Sequence, residues 1–182
     1  MGKSMVFAPQ TEGEVSIRAS QVQFAEALRR RVAARLLTGQ PHPRSKYALV
    51  QSAPGELRIQ AADWRTAINV GLNDLHMRLE RPGLVHFSVR YWRWAAYALG
   101  VSGALALVGL GLLLTLDVRG YIARHPSSMI PGLSLDQHVL FAWAMVIFWG
   151  LAWPWLLIAL HKRPLRRLIQ RIIAEVDAAA VA

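Results

Sequence analysis

Cysteine is absent from this chain of 182 residues. Its absence excludes disulfides, a thiolate nucleophile, thiolate-bound zinc and iron–sulfur clusters held by Cys. Acidic residues are scarce, 11 against 21 Lys and Arg, which leaves a formal charge of +10. Charge of either sign is missing from two apolar runs, Ala95–Leu116 and Val139–Leu160, each 22 residues long. A glycine-rich phosphate loop is also missing. Asp74 and His76 stand two apart on an expected helix and so do not face each other, and His86 and Ser88 share a strand face without a placed acid. The reading is therefore no enzyme, no catalytic residue, no cofactor and no metal.

As a helix each apolar run reaches about 33 Å, enough for a hydrocarbon core of about 30 Å. Only a helix can satisfy all its backbone groups alone in lipid, so both runs are expected to span, as segments 92–116 and 138–161. Fourteen of the basic residues precede the first run, Arg119 and Arg124 lie between the two, and five follow the second. Basic residues near a span stay on the cytoplasmic side. Both termini are therefore expected inside and the loop 117–137 outside, most simply in a bacterial inner membrane. Neither run holds an ionisable group, which argues against a proton relay or ion path. His138 and His161 bracket the second run about 35 Å apart, too far to ligate one metal.

After a flexible stretch 1–13, residues 14–91 read as a small cytoplasmic domain. Val15, Ile17 and Ala19 alternate with polar residues as in a strand, and Ser20 with Gln23 forms a capping box. The helix that follows carries Val22, Ala25, Leu28, Val32 and Leu36, until Gly39, Pro41 and Pro43 stop it. Lys46–Gln60 reads as a hairpin turning at Pro54 and Gly55. Asp63 opens a second expected helix with Trp64, Ile68, Leu72, Leu75 and Leu79, and Val85, Phe87 and Val89 mark a last strand. This is the βαββαβ order of the ferredoxin-like fold. The whole is thus expected to be an α+β membrane protein: a ferredoxin-like domain, a two-helix transmembrane hairpin and a C-terminal amphipathic helix.

In that arrangement the open sheet face presents Arg18, Arg58, His86 and Arg90 among Ser16, Gln60 and Ser88, a basic platform for an acidic subunit or anionic headgroups. The aromatic residues with which such domains stack RNA bases are missing there, and nucleic acid is set aside as a partner. Trp92, Arg93 and Trp94 read as an interfacial anchor. Gly100, Gly103, Ala104 and Gly111 offer a small-residue side for helix packing, either with the second span or with another subunit. Pro154 should bend the second span near Gly150. In 162–182, Leu165, Leu168, Ile169, Ile172, Ile173 and Val176 oppose Arg166, Arg167 and Arg171. That basic amphipathic helix, expected to start near Pro164, either lies on the inner leaflet or docks its stripe on protein, the cytoplasmic domain or a partner helix. The functional expectation is a non-enzymatic accessory or assembly subunit of a membrane complex. Its partners would be membrane lipids and other integral membrane subunits. The alternatives are a regulatory module binding a small anion or nucleotide, and a homo-oligomeric pore or transporter component.

Overall fold

A computed structural model describes residues 8–37, 46–53, 55–125 and 130–182. Gly39, Pro41, Pro43 and Pro54 lie outside them. The chain divides into two units, 1–96 with 158–182, and 97–157.

The first unit is a two-layer α/β structure. Its strands are β1 (Gln10–Ser16), β2 (Tyr47–Ala53), β3 (Glu56–Ala61), β4 (Asp74–Arg81) and β5 (Leu84–Arg90). They form one antiparallel sheet in the order β1-β5-β4-β3-β2. Strand β1 starts at Gln10, inside the stretch expected to be flexible. Helix α1 (Gln21–Ala33) follows β1 and opens on the capping box of Ser20 and Gln23.

The ferredoxin-like βαββαβ topology is replaced by five strands. The helix expected from Asp63 to Leu79 ends early: α2 covers only Trp64–Val70, capped by Asp63, and the chain then enters β4. Gly71 is the reason. It takes φ +74°, a left-handed conformation that terminates a helix and that glycine adopts without strain. Beyond it, Leu75, Met77 and Leu79 alternate with His76 and Arg78, and the alternation wins.

The core lies between the sheet and two helices. Leu57, Ile59, Leu75, Met77, Val85, Phe87 and Val89 fill one sheet face, and Phe24 and Leu28 of α1 are buried with them. The second covering helix is the C-terminal part of α6 (Trp153–Val181), whose Leu165, Ile169, Ile172, Ile173 and Val176 are all buried. Of the two settings open to this amphipathic stripe, the structure takes the one on the domain. Nor does the helix start near Pro164: α6 runs through that proline without a break. A proline inside a helix costs about 3 kcal/mol. Burial of five large aliphatic side chains, at about 1.5–3 kcal/mol each, exceeds it.

The second unit is a helical hairpin. Helix α3 (Trp92–Thr115) and the continuous helical stretch Leu135–Val181 are both long and apolar enough to cross a membrane. That stretch comprises α5 (Leu135–Ile147), a wider π-type turn (Phe148–Ala152) and α6. Pro154 acts here: it has no N–H to give, and the backbone before it widens so that the Trp153 N–H reaches Phe148 O, five residues back. Leu105, Leu107 and Leu140 are 66 %, 72 % and 68 % exposed, a surface suited to lipid or to other membrane helices. The connection holds a short helix, α4 (Val118–Arg124), capped by Asp117. His138 closes it by accepting from the Ile130 N–H (2.7 Å) while its other ring nitrogen lies 2.8 Å from Ser134 O.

Helix packing inside the hairpin runs through residues other than the expected ones. A Cβ on Gly150 would sit 2.3 Å from Ala106 Cβ, and one on Gly109 would sit 2.9 Å from Val146. Ala106 and Gly109, with buried Ser102, make the contact side of α3. At 100° per residue, Gly100, Ala104 and Gly111 fall on the opposite side, and a Cβ at Gly100, Gly103 or Gly111 would meet nothing within 4 Å.

Candidate interaction surfaces

One face of the sheet is covered by α1 and α6, while the polar residues of the other face alternate outward along each strand. Strand register sets these residues in three rows. The first runs Gln10, Arg90, Asp74, Gln60; the second Glu12, Ser88, His76, Arg58; the third Glu14, His86, Arg78, Glu56. Arg58, His86 and Arg90 are on this face as expected, with Gln60 and Ser88. The basic platform nevertheless becomes a mixed lattice, because β4 takes the place of the expected helix and adds Asp74, His76 and Arg78 to the face. Asp74 lies 4.0 Å from Arg58, and Arg78 lies 3.1 Å from Glu56 and 3.6 Å from Glu80. His76 is 3.5 Å from Glu56 and His86 is 3.4 Å from Glu14. Arg58 and Arg90 share an open depression of about 320 Å³ with Glu56, Asp74, His76 and Ser88.

Asp74 and His76 do face the same way, since residues two apart on a strand share a side. The signal was present in the alternation of Leu75, Met77 and Leu79. His76 also stands opposite Ser88 in the register and near Glu56. Among the described residues, no group of three or more His, Cys, Asp and Glu residues is placed to hold a metal ion.

Arg18 stands apart from these rows. Its backbone N–H and that of Ala19 both donate to Asp177 Oδ1 of α6, each at 2.8 Å, and its side chain is 74 % exposed with Nε 3.5 Å from Oδ2. Asp177 is buried and joins the C-terminal helix to the turn that starts α1. Burial alone would raise its pKa. Hydrogen bonds from the Ala19 and Arg18 amides and the charge of Arg18 outweigh that and hold the carboxyl below its usual value. Glu175, two residues earlier in α6, pairs with Arg31 of α1.

Trp92, Arg93 and Trp94 form a packed junction. The Arg93 N–H donates to Asn73 Oδ1 (2.8 Å), and its guanidinium lies over Trp64 and Trp92 at 5.7 and 5.4 Å. Trp94 stacks on His161 at 4.2 Å. Tyr91, fully buried, donates its hydroxyl to Ile158 O (2.9 Å), and burial pushes the phenol up to about 12. Trp64 and His161 join this group only through tertiary pairing, which local sequence does not show.

The exposed side of α6 carries Arg163, Arg166, Arg167 and Arg171. Comparison with protein-family models, curated proteins and solved structures found no match.

Proposed function

We propose that this chain is a two-pass integral membrane protein without catalytic activity of its own, serving as an accessory or assembly subunit of a larger membrane complex. Both termini face the cytoplasm in this reading, in keeping with the excess of Lys and Arg outside the loop 117–137. The observation that carries it is the outer face of the sheet. That face is broad and rich in paired charges, and it stands opposite a face that two helices cover. A lattice of alternating sign suits a protein subunit with a complementary pattern better than a uniformly anionic surface, because mismatched register would set like charges against each other. An anion or nucleotide site at Arg58 and Arg90 is disfavoured by Asp74, which lies beside the first and opposite the second.

The test is gentle detergent extraction of the tagged full chain, followed by intact-mass measurement of what stays bound. A partner subunit at fixed stoichiometry is expected, and Arg78→Glu should release it while leaving insertion and helix content unchanged. A lone polypeptide, or a complex indifferent to charge reversal at Arg78 and Arg58, would overturn the proposal.

A further inference from the structure

The apolar stripe of α6 is already used by the sheet, so this helix cannot lie in a leaflet with that stripe in the acyl chains. What it leaves exposed is basic. Arg163, Arg167 and Arg171 recur every four residues and therefore form one ladder along the outer side. Like charges at this spacing repel, and the described residues do little to relieve them. Arg163 and Arg167 have no ion-pair partner among those residues, and Arg171 reaches Glu175 only at 3.8 Å, a carboxylate it shares with Arg31.

The ladder is axial, and its rungs have different heights. With about 1.5 Å of rise per residue, Arg163, Arg167 and Arg171 stand about 5, 11 and 17 Å along α6 from Leu160, the last residue of the apolar run. The polar region of a bilayer adds only about 5–7 Å beyond each side of the hydrocarbon. Long side chains on a helix lean toward its N-terminus, here toward the apolar run. Arg163 therefore reaches headgroup phosphates directly and Arg167 reaches them by leaning back. Arg171 does not reach them.

From this geometry we propose that Arg163 and Arg167 form a binding site for the phosphate of anionic phospholipids in the leaflet next to the domain, with Arg171 outside it. The inference rests on the reading that Val139–Leu160 crosses a membrane, and it goes beyond that reading by assigning the lipid class and the order of the rungs. A basic residue at an anionic surface contributes about fivefold in association.

The full chain is reconstituted in phosphatidylcholine vesicles, and retention after an alkaline carbonate wash is checked first. Association of spin-labelled phosphatidylglycerol is then compared with that of spin-labelled phosphatidylcholine. The wild type should prefer the anionic lipid. Arg163→Gln and Arg167→Gln should each lower that preference by about fivefold, Arg171→Gln by less than twofold, and 0.5 M salt should weaken what remains. Equal preference for the two lipids, or an equal loss from all three variants, overturns the site. Displacement of the lipid by millimolar inorganic phosphate would assign the arginines to a free anion and overturn the lipid assignment. Release by carbonate would instead overturn the membrane reading, and the two failures are distinguishable.

Discussion

Asp177→Ala tests what holds the C-terminal helix to the domain. The carboxylate accepts two backbone N–H groups at 2.8 Å, from Arg18 and Ala19, and Ala19 is buried. A hydrogen bond to a charged group is worth roughly 1.5–3 kcal/mol, and a buried donor left unpaired adds its own desolvation cost. Because Arg18 is largely exposed and water can serve its amide, the combined loss is set near the lower end, at about 3 kcal/mol. Undocking of residues 165–181 is a local opening, so the readout is amide hydrogen exchange over that segment in the detergent-solubilised chain. About 3 kcal/mol corresponds to exchange roughly a hundredfold faster. Asp177→Asn keeps an oxygen acceptor and loses only the charge, for which about 1 kcal/mol and a fivefold change are expected.

The same residue gives a pH dependence with a definite sign. Its pKa in the folded chain lies below the ordinary 3.8. Stability from such a group is fully present above the unfolded value and lost as pH falls through the folded one. Protection of 165–181 in the wild type should therefore hold down to about pH 4 and then fall toward that of the Asn variant. Exchange in Asp177→Ala within threefold of wild type at neutral pH would refute the reasoning, because the carboxylate would then be an ornament on a helix held by its apolar stripe alone.

The hairpin offers a paired test: Gly150→Val drives a side chain into Ala106 and should lower thermal stability in detergent by about 1–3 kcal/mol, while Gly100→Val should be nearly neutral in the isolated chain. A large loss from Gly100→Val would show that its side of α3 is occupied. Gly71→Ala should destabilise the first unit by more than 1 kcal/mol, since φ +74° disfavours a Cβ and that atom would sit 2.2 Å from His161 Nε2. Denaturant unfolding followed by Trp fluorescence reads this, and an unchanged midpoint would sink it.

Much of this architecture was legible in local sequence, and the part that was not has a common cause. Ser20 with Gln23 and Asp63 act where they stand, through bonds to residues three positions away, and Pro154 acts through the N–H it lacks. The strand β4 was misread because Trp64, Ile68, Leu72, Leu75 and Leu79 satisfy a helical period over the same residues that also satisfy a strand period. Gly71 was the local signal that separates the two, and its weight depends on His161 packing against it from 90 positions away. The charged rows were illegible for the same reason. Arg58 was correctly placed on the open face, but its neighbour Asp74 comes from a strand the reading lacked, so the sign of the surface came out wrong.

The ends of α6 show how such a gap bears on function. An apolar stripe on a basic helix following a span fits two settings equally well in sequence, the leaflet or a protein core. Burial of Ile169, Ile172 and Ile173 decides for the core, and the decision reverses the role of the arginines. On a helix lying in the leaflet, Arg163, Arg167 and Arg171 would all sit at one depth and contribute alike. On a helix continuous with the apolar run and docked on a sheet, they sit at three heights along the axis, and the proposed lipid site takes the lower two, Arg163 and Arg167. The packing of five aliphatic side chains against the sheet thus sets the order of the rungs on which the proposed lipid site rests, with Arg163 and Arg167 inside it and Arg171 beyond it.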